Sequence, residues 1–262
     1  MASRRSKWLI GCGAGCGLVV ILLIAMVVAG TAYLRNSFKG VGEAEQSYRE
    51  LVSRYGEVEE FVPPPDGAVP TARVELFLSV RESLQEGQGE LGTVLADFPP
   101  DDVIGEERVL FVILGAVRGI AGLVGPITDY IDQRHRLLQE AGMGPGEYVY
   151  IYSVAYHDLL LAPQTLNEIF SDGQPVSPEA SQQLRKCLAR QLESAGEAEA
   201  VEAEIMKMED NPFRLLWEEG LPEAVQESVL PYRAQLDGLF CGATAGLEME
   251  RDSGRALRVA IE

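Results

Sequence analysis

The feature that most constrains this chain is a stretch over residues 8–34 that contains no charged side chain. A helix needs about 20 apolar residues to cross the hydrocarbon core of a bilayer, and it satisfies its backbone hydrogen bonds within one segment. We therefore predict a transmembrane helix over residues 8–34. Basic and aromatic side chains at its ends favour the headgroup region. We assign to the membrane interface Arg4, Arg5, Lys7, Trp8, Tyr33 and Arg35.

Basic residues are more numerous before this stretch than after it. Residues 1–7 carry three of them plus the amino terminus, whereas Arg35 and Lys39 follow the stretch. The side richer in Lys and Arg tends to stay in the cytoplasm. We predict a short basic cytoplasmic tail over 1–7 and a main domain outside the cytoplasm, which is the periplasm if the organism is bacterial.

An alternative is a signal peptide that is cut near Ala32, which would release a secreted helical protein. Small residues at positions 30–32 resemble a cleavage site. The apolar stretch is longer than the roughly 7 to 15 residues of a typical signal peptide, and this length favours a retained anchor.

The charge of the remaining chain limits its partners. Residues 1–39 carry five of the 22 basic residues and none of the 40 acidic ones, so residues 40–262 have a formal charge of about −23. Nucleic-acid binding depends on Lys and Arg that neutralise phosphates, and we therefore predict no nucleic-acid partner. A strongly negative domain stays soluble and can attract cationic ligands or basic proteins. We expect a protein partner of unknown identity.

Apolar residues recur at helical spacing through most of the outer chain. We predict an all-α protein in which the N-terminal transmembrane helix precedes an acidic, helical-bundle-like soluble domain. Residues 35–60 indicate a juxtamembrane amphipathic helix, 61–70 a Pro-rich linker, 71–250 the helical domain and 251–262 a frayed C-terminus, with fraying expected from Glu248 onward. The helix that follows Thr71 should bury Val74, Phe77, Leu78, Leu84, Leu91 and Leu95.

Three segments need interpretation. Residues 109–127 are apolar enough for a second span, but Arg118 near the centre would cost at least about 2.5 kcal/mol in lipid, so we predict a core helix. Residues 148–161 have the aromatic and β-branched composition of a strand, although their helical neighbours favour a helix. Residues 193–209 are strongly acidic, and we predict a solvated helix there.

The two histidines are the main candidates for chemistry. His157 with Asp158 or Glu168 has the residue types for general acid–base catalysis, which gives the alternative of a membrane-anchored hydrolase. Asp132 and His135 share a helix face as in half of a di-metal site, but no second such motif exists. We predict a solvated Asp132–His135 pair, no metal, no cofactor, and binding or scaffolding rather than catalysis.

Cysteines and glycines suggest two further contacts. Cys187 and Cys241 lie in the outer domain, where an oxidising compartment permits a disulfide; their spacing leaves a bridge and two thiols equally open. Within the anchor, two small-xxx-small patterns suit the pairing of membrane helices. The residues that would form such a homodimer contact are Gly11, Gly15, Gly13 and Gly17.

Overall fold

The computed structural model describes residues 40–96, 109–162, 176–195 and 198–249, with side chains described at all of these except 95–96 and 109–123. The chain divides into the units Met1–Lys39 and Gly40–Glu262, and the fold below belongs to the second unit. The predicted anchor, its interface residues, its glycine patterns and the predicted frayed end at 251–262 lie outside the described residues. Within them, no helix combines the length and apolar character that a bilayer crossing requires.

The described residues form helices and contain no β-strand, which confirms the all-α prediction. Single 3-10 turns occur at Val58–Glu60, Leu230–Tyr232 and Gly242–Thr244. The α-helices are α1 (40–55), α2 (Thr71–Ala96), α3 (Val109–Ala141), α4 (Pro145–Ala155), α5 (His157–Leu160), α6 (Pro178–Ala195), α7 (Glu199–Asp210), α8 (Glu223–Val229), α9 (Arg233–Leu239) and α10 (Ala245–Met249).

The long helices α2 and α3 pack against each other and form one side of the core. The predicted apolar face of α2 is buried at Val74, Phe77, Leu78, Leu84 and Leu91. Helix α1 also contributes to the core, because its Ala44 and Leu51 are fully buried.

Helix α4 passes through the centre of the domain, and Glu147 is the one residue of it that is not buried. The helical prediction for 148–161 is therefore confirmed over most of its length, although the structure divides it into α4, which ends at Ala155, and α5 at His157–Leu160. The helix begins beside the 3-10 turn at Val58–Glu60, and Gly146 makes this close approach sterically feasible. A Cβ on Gly146 would lie 2.6 Å from the Cβ of Phe61 and still closer to the carbonyl oxygen of Val58.

The Pro-rich segment 61–70 is extended and is held against the core at several points. Gln191 on α6 donates through Nε2 to the carbonyl oxygens of Pro64 at 2.9 Å and Pro65 at 3.2 Å. The hydroxyl of Tyr150 on α4 donates to the carbonyl oxygen of Gly67 at 2.7 Å. These bonds attach the segment to two helices, so it is a fixed part of the folded domain.

One prediction about acidic residues held only in part, and another was wrong. The segment 193–209 is not solvated on all sides, because Val201, Glu204 and Met208 form a buried face of α7. Glu248 does not fray: it lies on α10 and has no exposed surface. In both places, buried arginines compensate the carboxylate, and the sequence pattern did not reveal that pairing.

Candidate functional site

A cluster of charged and phenolic side chains lies at the centre of the domain around Glu248. Buried charges are costly unless they are paired and hydrogen-bonded, so the composition of such a cluster is significant. Four helices supply its members: Arg81 and Gln88 from α2, Tyr130 and Arg134 from α3, Tyr148 from α4, and Glu248 from α10.

The Oε1 atom of Glu248 is bound from the α2–α3 side. Nη1 of Arg81 and the hydroxyl of Tyr130 both donate to it. Nε2 of Gln88 lies 3.3 Å from the same oxygen and 3.1 Å from the Tyr130 hydroxyl. The guanidinium of Arg81 also donates from Nη2 to the carbonyl oxygen of Leu239 at 3.1 Å, which links α2 to the end of α9.

The Oε2 atom of Glu248 is bound from the α3–α4 side. The hydroxyl of Tyr148 donates to it at 2.8 Å, and Nη1 of Arg134 lies 3.3 Å away. Arg134 also donates to the carbonyl oxygen of Leu247 at 2.7 Å. Both carboxylate oxygens are therefore satisfied, and the short helix α10 is fastened to three longer helices.

The ionisation of this cluster is fixed. Burial alone would raise the pKa of Glu248, but Arg81, Arg134 and the two tyrosine hydroxyls lower it to about 2. Burial lowers and Glu248 raises the pKa of Arg81, with a net increase. Burial raises the pKa values of Tyr130 and Tyr148. The cluster thus holds one carboxylate, two guanidinium groups and neutral phenols near neutral pH, and this arrangement suits a structural anchor better than a proton-transfer site.

Aromatic rings enclose the cationic side of the cluster. The guanidinium carbon of Arg81 lies 5.1 Å from the ring centroid of Tyr152 and 5.4 Å from that of Tyr156. Such distances are typical of cation–π interactions. Phe77 packs against both of these rings, so the buried charge is surrounded by a rigid aromatic shell.

His157, the candidate base of the hydrolase hypothesis, is buried and bonded to the backbone. Its Nε2 lies 2.9 Å from the carbonyl oxygen of Trp217, and because a carbonyl only accepts, Nε2 is the donor in this bond. Its Nδ1 lies 3.3 Å from Asp158, and Asp158 also pairs with Arg233 at 3.1 Å. Glu168 lies outside the described residues. The described contacts give His157 the role of a structural donor.

His157 contacts the loop 211–222, and this loop supplies one partner of a second buried ion pair. Glu204 on α7 accepts from Nε of Arg214 at 3.0 Å and from the backbone N–H of Trp217 at 2.8 Å. Trp217 has a φ of +58°, in the left-handed region that side chains seldom adopt. Its N–H donates to Glu204, and its carbonyl oxygen lies within hydrogen-bond distance of His157 and accepts from the N–H of Gly220; these three contacts explain how the conformation is maintained.

The predicted solvated Asp132–His135 pair does not form. Asp132 pairs with Arg136 at 2.7 Å, whereas His135 is buried and its Nδ1 lies 3.1 Å from the Ser47 hydroxyl on α1. Burial and the nearby charge of Arg134 lower the pKa of His135 to about 3, so the ring is neutral. Among the described residues, no group of His, Cys, Asp or Glu is arranged to hold a metal ion.

Cys187 and Cys241 are both free thiols in the structure. Cys187 is buried on α6, where its Sγ lies 3.2 Å from the carbonyl oxygen of Val58. Burial raises the pKa of this thiol to about 12. Cys241 is partly exposed and lines a groove beside α2.

Two open grooves border the C-terminal half of α2. The α2–α9 groove has a volume of about 550 Å³ and lies between Gln85, Gln88, Gly89 and Gly92 on one side and Leu239, Phe240 and Cys241 on the other. The α2–α3 groove has a volume of about 500 Å³, and its walls are Gly87, Glu90, Leu91 and Val94 from α2 and Pro126, Asp129, Tyr130 and Gln133 from α3. Both volumes are in the range of ligand pockets, about 300–1,000 Å³. Sequence patterns did not identify either groove.

Comparison with known proteins provides no relative: no protein-family model matches the sequence, and no curated protein or solved structure is significantly similar to it.

Proposed function

We propose that this chain is a single-pass membrane protein that exposes its acidic helical domain outside the cytoplasm, where the domain acts by binding or scaffolding. The apolar stretch at 8–34 and the basic residues before it support the anchor and its orientation. The compact domain follows this stretch closely along the chain, since its first described residue is Gly40.

The binding role rests on one observation about the described residues. At the centre of the fold, Glu248 is bonded to Arg81 and Arg134, and His157 is bonded to the backbone. The two open grooves are lined mainly by apolar, glycine and amide groups, together with two carboxylates, the Thr93 hydroxyl, the Tyr130 ring and the Cys241 thiol. This division favours a rigid domain with a recognition surface over a hydrolase centred on His157.

Membrane attachment and orientation can be tested with the full-length protein produced in a bacterial host. We expect the protein to stay in the membrane pellet after carbonate washing, and its domain to be degraded when protease is added to intact spheroplasts. A cytoplasmic protein of the host serves as the protected control. Recovery in the soluble fraction, or a protected domain, would refute the proposal.

A matched pair of variants makes this test specific. Leu22→Arg with Leu23→Arg places two charges in the predicted span, each costing about 2.5 to 3.5 kcal/mol on insertion scales, and should release the protein from the membrane. Leu22→Val with Leu23→Val should not. The mass of the mature N-terminus distinguishes the anchored protein from the secreted alternative, because signal cleavage would leave a chain that starts just after Ala32.

A further inference from the structure

The α2–α3 groove combines an apolar floor with a carboxylate on each wall. The partly exposed Val94 of α2 and Pro126 of α3 supply the apolar surface, above the buried Leu91 and Tyr130. The acidic residues on the two walls are Glu90 on α2 and Asp129 on α3. Both acidic side chains are exposed, and within the described residues neither has a hydrogen-bond or ion-pair partner.

Two more carboxylates lie on α2 outside the groove lining, at Glu82 and Glu86. Glu82, Glu86 and Glu90 are all exposed and are spaced four residues apart along α2. Like charges at this spacing destabilise a helix by about 0.2 to 0.5 kcal/mol per pair. Among the described side chains, no Lys or Arg pairs with these three residues. A cationic partner would relieve this repulsion.

The floor of the groove is held in place by the core. The ring of Tyr130 lines the groove, while its hydroxyl donates to the buried Glu248. Gly87 lets the walls come together, because a Cβ there would lie 3.0 Å from Oε1 of Gln133 and 3.2 Å from Cδ2 of Tyr130. A preformed surface of this kind loses little conformational entropy when a partner binds.

We propose that the α2–α3 groove binds a basic, amphipathic segment of a partner protein. A Lys or Arg side chain would lie between Glu90 and Asp129, and apolar side chains of the same segment would cover Val94 and Pro126. The apolar floor favours such a segment over a hydrated metal ion, and the acidic walls disfavour nucleic acid and anionic lipid. This inference rests on the proposed binding function and adds the chemistry of the partner.

The test uses the full-length protein in phosphatidylcholine nanodiscs, whose neutral headgroups do not attract a basic peptide. The probe is a fluorescein-labelled 14-residue peptide of leucine and lysine spaced to form an amphipathic helix, and a peptide with glutamate in place of lysine is its control. Fluorescence anisotropy should show binding of the lysine peptide that weakens at high salt, because salt screens exposed charges.

Two charge-matched double variants locate the site. Glu90→Gln with Asp129→Asn should weaken binding about tenfold, which corresponds to about 1.4 kcal/mol. Glu199→Gln with Glu202→Gln removes the same charge from the exposed face of α7 and should change the affinity less than about twofold. Thermal unfolding of both variants checks that the fold is intact.

Several outcomes would overturn the proposal: no binding of the lysine peptide, equal binding of the glutamate peptide, or equal weakening by both double variants. Displacement of the peptide by spermine at equal charge concentration would also overturn it, since the groove would then recognise small polycations. If the lysine peptide binds but the carbonate and protease tests fail, the membrane location is refuted and the groove proposal stands.

Discussion

Replacing Glu248 with glutamine should strongly destabilise the domain, because it leaves Arg81 and Arg134 buried without a compensating charge. Removing one partner of a buried ion pair costs about 3 to 5 kcal/mol. Glutamine has nearly the same shape, so the loss reports the charge rather than a cavity.

The lowered pKa of Glu248 indicates how this loss depends on pH. It falls from an ordinary value of 4.5 to about 2 in the folded domain. Because the folded-state pKa is the lower one, the ionised carboxylate stabilises the fold fully above about pH 4.5, and this contribution disappears as the pH falls toward about 2. At about 1.36 kcal/mol per pH unit, the difference corresponds to about 3 kcal/mol.

The measurement is the free energy of unfolding of the full-length protein in mild detergent, from urea titrations followed by far-ultraviolet circular dichroism. Glu248→Gln should lose about 3 kcal/mol near pH 7 and only about 2 kcal/mol near pH 3.5. Tyr148→Phe, which removes one bond to the same carboxylate, should cost about 2 kcal/mol. The exposed control Glu202→Gln should change stability by less than about 0.5 kcal/mol. A loss below about 1 kcal/mol for Glu248→Gln, or a loss independent of pH, would refute the reasoning.

Three further predictions concern single positions. Gly146→Ala should lower the free energy of unfolding by about 2 to 3 kcal/mol, because the added methyl group overpacks the site. Gly89→Ala has open space around it and should raise the free energy of unfolding by up to about 1 kcal/mol. Thermal melts of both variants test these expectations. The ring of His135 should show no titration by NMR between about pH 5 and 8, because its pKa is about 3; a midpoint in that interval would contradict its burial. Native Cys187 should resist iodoacetamide near pH 8, since its pKa is about 12, while Cys241 reacts; peptide mass mapping would show the reverse if the assignment is wrong.

The local spacing of apolar residues was sufficient to predict the helices that have one buried face. The apolar residues of α2 recur at helical spacing, and Val74, Phe77 and Leu84 are buried as expected. Helix α4 has almost no polar face, so its sequence carries no helical period, and neighbouring segments had to decide its type.

The buried charges could not be predicted because their partners are distant along the chain. Arg81 lies 167 residues before Glu248, and Trp217 lies 60 residues after His157. An acidic residue near a chain end is usually solvated, and that expectation failed for Glu248. The α2–α3 groove was missed for the same reason, since Glu90 and Asp129 become neighbours only when two helices pack.

The bonds that fix segment 61–70 to α4 and α6 determine where this protein can be shortened. A version that starts at Thr71 would expose the surface of α3 that contacts α1 through Ser47 and Gln139, and it would leave Tyr150 without an acceptor for its hydroxyl. Such a piece should aggregate instead of folding. A soluble form for crystallisation or partner screening therefore needs to begin at or before Gly40, even though the three consecutive prolines look like a natural place to cut.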